Sequence, residues 1–167
     1  MPKRKNSSNP EGDCGLACAL KHWRGAGVVL FAVGNADNAD DGAGPALLRR
    51  LEGRTDALLL DGGCVPENSL HLAVRAAPKK VLLIDAADFG QEPGHCALLA
   101  PEEAGGLSFS THGMPLSALA KYLRLSLPEC EVAFLGIQPA SLKPGQAGLS
   151  PAVADAVQML AGLLGKP

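Results

Sequence analysis

Three aspartates and one histidine in this chain have the chemistry of a metal or hydrolytic site. Each aspartate follows a short apolar run and the histidine lies in a loop; the four residues are Asp41, Asp61, Asp85 and His112. Two carboxylates with one imidazole form a borderline ligand set that suits Ni²⁺, Zn²⁺ or Mn²⁺. Three protein ligands leave open positions for solvent or for atoms of another molecule, as in functional metal sites.

The apolar runs indicate how these side chains could meet. Three runs precede the aspartates, namely VVLFAV (28–33), ALLL (57–60) and VLLI (81–84). Short uninterrupted apolar runs are typical of strands buried on both faces of a parallel sheet. In open α/β sheets the ligand lies outside the carboxyl ends of such strands. We therefore expect Asp41, Asp61 and Asp85 to face one crevice, within reach of the loop STHGMP that carries His112.

Each candidate also has a simpler structural interpretation. Asp41 could be the N-cap of the helix that begins near residue 41 or 42. Asp61 could cap the glycine turn that follows it, or act on a substrate. Asp85, at the end of a central strand, needs a partner such as a helix N-terminus, an arginine or a metal. A histidine like His112 is, taken alone, usually a surface or satisfied core residue.

Cys64 offers a different chemistry. It lies beside the Gly62-Gly63 turn, where a thiolate with His112 as its base would form a nucleophilic dyad. The alternative is a small side chain packed behind the turn. The chain has five cysteines, an odd number with no C-x-x-C pair, which favours a reduced cytoplasmic protein.

Composition limits the classes of partner. Apolar residues make up 47% of the chain, aromatic residues 4% and charged residues 19%, with a net charge of −2. Few aromatics and no basic strand or helix argue against nucleic acid. No apolar stretch approaches the length of a transmembrane helix, so we expect no membrane insertion. Residues 1–12 are polar and are expected to form a disordered tail, and residues 13–167 a single domain.

Alternating strands and helices predict a three-layer α/β sandwich with helices on both faces of a mostly parallel, five-stranded sheet. The fourth strand follows the third without room for a crossover helix, so we expect it to be an antiparallel edge strand. Strands are predicted at about 28–33, 56–60, 80–85, 95–99 and 131–136. Helices are predicted at about 13–24, 42–52, 66–77, 115–123 and 150–164.

Five segments together resemble the hydrogenase maturation endopeptidases, and most closely their hydrogenase 3 type, over about residues 15–165. The segments are GNADNADDGAGP (34–45), LLLDGGCVPEN (58–68), VLLIDAADFG (81–90), STHGMPL (110–116) and FLGIQP (134–139). The resemblance implies a twisted five-stranded sheet and an aspartic-type endopeptidase by family classification. It also implies that Asp41, Asp85 and His112 bind metal and that Asp61 contributes to activity. Because residues 36–39 depart from the family pattern, Asp37 and Asp40 could compete as ligands.

The resemblance also implies a substrate. It is the nickel-loaded large-subunit precursor of a [NiFe] hydrogenase, from which a short C-terminal peptide is removed. Nickel would then be supplied by the substrate, although zinc or cadmium could occupy the same ligands. Two other functions stay open, a non-catalytic metal-binding assembly factor and a cysteine hydrolase that uses Cys64 and His112.

Overall fold

The computed structural model describes residues 11–106, 108–109 and 115–166. Its centre is a five-stranded sheet in the order β2-β1-β3-β6-β4, in which only β4 runs antiparallel to its neighbour. A short sixth strand, β5, pairs with the end of β3. The strands are β1 (Val28–Ala32), β2 (Leu58–Asp61), β3 (Lys80–Asp88), β4 (Cys96–Leu99), β5 (Ser108–Phe109) and β6 (Glu131–Ile137).

Helices cover both faces of this sheet. Side chains alternate between the two faces of a strand, so β3 sends Leu82 and Ile84 into one core and Val81 and Leu83 into the other. The first core is closed by α1 (Glu11–Leu20), α2 (Ala43–Leu51) and α5 (Pro151–Leu164). The second is closed by α3 (Leu70–Arg75) and α4 (Leu116–Ser126). The predicted three-layer fold with its antiparallel edge strand is confirmed.

Two elements differ from the sequence prediction. β3 continues to Asp88 because Asp85 and Ala86 still pair with β6, and Ala87 pairs with Phe109 of β5. Asp85 therefore lies inside a strand and not directly after one. The predicted helix at 66–77 is instead a 3₁₀ turn (Pro66–Asn68) followed by the short α3, and Ser69 lies between the two pieces.

The ends of the chain lie partly outside the described residues. The predicted tail covers residues 1–12, of which residues 1–10 are not described, and α1 begins at Glu11. A 3₁₀ turn (Lys21–Trp23) continues α1 almost to the predicted end of that helix. Among the described residues, every helix is too short or too polar to cross a membrane.

Candidate active site at the carboxyl edge of the sheet

The strand register places two of the candidate aspartates at the same edge of the sheet. Ala32, the last residue of β1, pairs with Asp61 on one side and with Ile84 on the other. Asp85 is the next residue of β3 and pairs with Gly136 of β6. Asp61 and Asp85 thus lie on either side of β1, about 10 Å apart at the backbone given the spacing of neighbouring strands.

Asp41 is brought to this edge by a 3₁₀ turn (Ala39–Gly42) that leads into α2. Two glycines permit the approach. A Cβ on Gly34, which has a φ of +140°, would lie 2.0 Å from the carbonyl oxygen of Asp41. A Cβ on Gly44 would lie 2.8 Å from the carbonyl oxygen of Val33 and 3.0 Å from that of Ile84. The start of α2 therefore rests directly on the strand ends, next to Asp85.

Asp41 and Asp85 are both buried, with exposed fractions of 3% and 1%. Asp41 Oδ2 accepts a hydrogen bond from the backbone N–H of Asn35 at 3.0 Å. Asp85 Oδ1 accepts one from the backbone N–H of Ala86 at 2.7 Å. The alternative in which Asp41 caps α2 is wrong, since the N-cap residue is Gly42 and Asp41 bonds backward to the loop.

Asp85 points toward the face of the sheet that α4 covers. It follows Leu83 on the alternating strand, so its side chain lies on the face covered by α3 and α4. In the sequence, His112 precedes Leu116, the first residue of α4, by four positions. His112 itself lies outside the described residues, so its predicted role as the third ligand stays a prediction. Within the described ranges no three His, Cys, Asp or Glu side chains are grouped as a metal would require.

Asp61 differs from the other two aspartates because it is exposed. Its Oδ1 accepts a hydrogen bond from the backbone N–H of Gly63 at 2.9 Å, so it does cap the glycine turn. That contact uses one carboxylate oxygen and leaves the group at the solvent-facing edge. The capping role and a role toward substrate are therefore compatible in this geometry.

Asp40, which could have competed with Asp41 as a ligand, is committed to the structure instead. It is fully buried and both of its carboxylate oxygens accept hydrogen bonds. The donors are the backbone N–H groups of Ala140, Ser141 and Ser150 and the hydroxyl of Ser150. Asp37 is exposed on the outside of the same loop. These contacts favour Asp41 as the residue of this loop that faces the site.

The backbone is strained immediately before the aspartate pair. Ala39 has a φ of +50° although it carries a side chain, and it is buried. The left-handed region costs such a residue roughly 1–2 kcal/mol. Strain of this kind persists only where the surroundings hold it in place, and it occurs most often at functional sites.

Gln138 stabilises the segment that follows β3, a role that the sequence did not predict. Its Oε1 accepts the backbone N–H groups of Phe89 at 2.7 Å and Gln91 at 3.3 Å, and its Nε2 donates to Asp88 Oδ1 at 3.1 Å. Gln138 thereby fixes the segment that leaves β3 just beyond Asp85. The pKa of Asp88 is lowered by the hydrogen bond from the backbone of Gly90, and further by the Gln138 amide. The sequence shows only a glutamine directly after an apolar run, and the structure shows that this glutamine is buried.

Cys64 is exposed beside the turn and is not packed behind it. Its proposed base, His112, is outside the described residues, so the geometry of a Cys64–His112 dyad is not tested. Because Cys64 is exposed, thiol reagents can reach it, and both chemical modification and mutagenesis can test whether it is a nucleophile.

The fold and the position of the aspartates define a class, an α/β protein with an acidic site at the carboxyl edge of a mostly parallel sheet. The family model of the hydrogenase maturation protease, HycI, matches residues 44–165. The chain belongs to this family, which makes it a protease and therefore a hydrolase. The match begins after Asp41, so it covers Asp61, Asp85 and His112 but not the first aspartate.

Individual relatives agree with the family assignment. The hydrogenase 3 maturation protease of Escherichia coli (strain K12) is 37% identical over 114 residues, which are 66% of this chain and 72% of the relative. The solution structure of the endopeptidase HycI from Escherichia coli has a TM-score of 0.73 at 34% identity, covering 81% of this chain and 87% of that one. The crystal structure of a [NiFe] hydrogenase maturation protease HycI from Thermococcus kodakarensis has a TM-score of 0.72 at 28% identity, covering 81% and 88%.

Proposed function

We propose that this protease removes a short C-terminal peptide from the large-subunit precursor of a [NiFe] hydrogenase after nickel has been loaded into that precursor. The observation that carries the proposal is the pair of buried carboxylates, Asp41 and Asp85, at one edge of the sheet in a hydrogenase maturation protease. A buried carboxylate must be compensated by a hydrogen bond, a charge or a metal. A metal ion carried by the substrate would add to the hydrogen bonds that these carboxylates already accept, and it would do so only when the correct precursor is bound.

The donor set is suited to this ion. Carboxylate oxygens and an imidazole nitrogen are accepted by nickel, and zinc or cadmium could take the same ligands. We assign Asp41, Asp85 and His112 as the residues that contact nickel. Nickel supplies polarisation of the scissile carbonyl when it is present. With these three contacts the protease can recognise a loaded precursor and orient its C-terminal segment.

Asp61 is proposed to act on the attacking water. It is the exposed member of the three aspartates, about two strand spacings from Asp85, and its turn is held by its own hydrogen bond to Gly63. A carboxylate at this position can orient a water molecule and accept its proton. The aspartic-type classification implied by the family resemblance fits such a role, because the proposed acids and bases are all aspartates.

The reaction is proposed to take place in the cytoplasm. Cys18, Cys64, Cys96 and Cys130 are free thiols, which suits a reducing compartment. The proposed partner is the precursor itself, and neither nucleic acid nor membrane insertion enters the proposal.

The proposal is tested by incubating the purified protein with nickel-loaded precursor. We expect a mobility shift of the large subunit and a released C-terminal peptide that mass spectrometry can identify. Asp85→Asn is the negative control, and Asp56→Asn, an exposed aspartate before β2, is the matched positive control. Binding of the precursor by the wild-type protein without any cleavage would overturn the proposal and favour the assembly factor.

A further inference from the structure

We propose that Asp40 is a positioning residue for the reaction. Its carboxylate ties the segment 140–150 to the 3₁₀ turn that carries Asp41, and in this way it fixes where the Asp41 carboxylate lies. We call this set of contacts, between residues 38–40 and 140–150, the Asp40 latch. The inference rests on the proposed function, in which Asp41 contacts the nickel of the substrate.

The Asp40 side chain is fully buried and makes four hydrogen bonds. Oδ2 accepts from the backbone N–H of Ala140 at 2.8 Å, from that of Ser141 at 3.1 Å and from the Ser150 hydroxyl at 2.9 Å. Oδ1 accepts from the backbone N–H of Ser150 at 2.6 Å. Hydrogen bonds to an ionised group are the strong ones in proteins, so the two ends of the segment are held at a single carboxylate.

Backbone contacts reinforce the carboxylate. The N–H of Ala39 donates to the carbonyl of Gln146, and the N–H of Asp40 donates to the carbonyl of Ser141 at 3.1 Å. In the opposite direction, the N–H of Gly145 donates to Asn38 Oδ1 at 3.1 Å. These contacts surround the strained Ala39 and explain how its positive φ is maintained.

The Ser150 side chain bonds to Asp40 and does not cap its own helix. Serine is among the best N-cap residues, because its hydroxyl normally accepts a hydrogen bond from the first turn of the helix. Ser150 is the N-cap of α5 but makes no such bond. Its hydroxyl and its N–H both donate to Asp40 instead. The Asp40 carboxylate also lies at the positive end of the α5 dipole.

The latch reaches Asp41 through the turn itself. Asp40 and Asp41 are neighbours in the 3₁₀ turn, so a shift of one changes the position of the other. Asp41 Oδ2 is held by the N–H of Asn35, and the Asp41 carbonyl lies against Gly34. A loosened Asp40 would free the outer side of this turn while leaving the sheet intact.

Asp40→Asn tests the role by replacing one acceptor oxygen with a donor NH₂ group and removing the charge. We expect kcat/KM for the nickel-loaded precursor to fall on the order of tenfold or more, because small displacements of a contact residue have large kinetic effects. We also expect faster amide hydrogen exchange at Asn35 and Asp41, measured by NMR on the metal-free protein. Ser150→Ala should give a smaller change in both kcat/KM and amide exchange. Ser150→Thr, which keeps the hydroxyl, should have wild-type values of both.

The matched control is Leu164→Ala, which opens a cavity at the opposite edge of the sheet, where Leu164 lies near Arg24 and Thr55. We expect it to lower the melting temperature at least as much as Asp40→Asn while kcat/KM and the exchange at Asn35 and Asp41 stay within twofold of wild type. All assays are run at a temperature at which circular dichroism shows every variant to be folded.

The proposal is overturned if Asp40→Asn and Ser150→Ala leave exchange at Asn35 and Asp41 unchanged, or if Leu164→Ala accelerates it equally. It is also overturned if both latch variants cleave with wild-type kcat/KM. Failure of the wild-type protein to cut any precursor would reject the proposed function, whereas the exchange measurement would still decide whether the latch fixes Asp41.

Discussion

At the scale of single residues, burial separates the three candidate aspartates into two groups. Asp41 and Asp85 are buried and receive backbone hydrogen bonds, while Asp61 is exposed and caps its own turn. A buried carboxylate is costly and suits a contact with a metal ion, whereas an exposed one has access to water. The proposed division between nickel contact and water activation follows this difference.

Asp85→Asn should leave the protein folded but inactive. The amide is nearly isosteric with the carboxylate, so the free energy of unfolding should change by less than about 1.5 kcal/mol, while the charge that nickel requires is lost. Thermal unfolding and precursor cleavage are measured side by side. Processing at the wild-type rate would contradict the site assignment, and a large drop in melting temperature would instead indicate a structural role for Asp85.

Two substitutions of Asp61 separate its capping contact from its charge. Asp61→Asn keeps an oxygen that can accept the Gly63 N–H, so stability should stay close to wild type, whereas Asp61→Ala removes the bond and should cost about 1 kcal/mol. We expect both variants to lose at least about tenfold in kcat, as for the loss of a general base. An Asn variant with full activity and an inactive Ala variant would show that only the turn matters.

The cysteines differ in environment, which allows the cysteine-hydrolase alternative to be tested. Burial raises the pKa of the Cys96 thiol to about 12, while Cys64 is exposed. At pH 8, iodoacetamide should therefore modify Cys64 and spare Cys96 in the native protein, as peptide mapping would show. Cys64→Ser should retain full activity; loss of activity would support the Cys64–His112 dyad.

Above about pH 9, Cys96 loses its proton in the unfolded protein but keeps it in the folded protein. Cys96 therefore makes the fold less stable as the pH rises toward 12.

At the scale of elements, the site depends on how closely α2 approaches the ends of β1 and β3. The contact is made at Gly44, which has no room for a side chain against the carbonyl groups of Val33 and Ile84. The same approach places the turn with Asp41 above the strand that carries Asp85. Packing between a helix and two strand ends therefore determines the distance between the two proposed nickel contacts.

Gly44→Ala should displace the start of α2 and impair both stability and activity. Overpacking of this kind costs about 1–3 kcal/mol, which would be measured as a lower melting temperature. Gly162→Ala is the matched control, because it introduces the same methyl group in α5 where no atom lies within 4 Å. That variant should be unchanged or more stable by up to about 1 kcal/mol. A Gly44→Ala protein as stable and active as wild type would contradict the proposed dependence.

The sequence predicts the elements better than it predicts their contacts. Apolar runs located β1, β2 and β3, and the aspartates that follow these runs lie at the carboxyl edge of the sheet, as expected. The extension of β3 past Asp85 could not be predicted, because it depends on pairing with β5 and β6. The hydrogen bonds of Asp40 could not be predicted either, because the groups that donate to it lie about a hundred residues away in the sequence. Only the folded structure shows that Asp40 is the one of the two adjacent aspartates that binds the segment 140–150.

At the scale of the whole molecule, selectivity should reside in the nickel of the substrate. The proposed contacts are two carboxylates and one imidazole, which supply no strong nucleophile, and the sequence has no H-E-x-x-H motif typical of a zinc protease. We expect metal-free precursor to remain uncut, and inhibitors of serine and cysteine proteases to have no effect on the loaded one. Gel mobility and mass spectrometry report both results. Efficient cleavage of metal-free precursor, or of casein, would contradict this mechanism.

The contacts between Asp40 and Ser150 span 110 positions of the chain, which has a consequence for biosynthesis. Contacts of such large sequence separation form late in folding, because the entropy of a long loop is lost before they are made. On the ribosome, the turn beside Asp41 emerges early but cannot be locked until the residues around Ser150 have also emerged. We therefore expect nascent chains that stop before α5 to have secondary structure without proteolytic competence, so that activity appears only after the residues around Ser150 have been synthesised and have paired with Asp40.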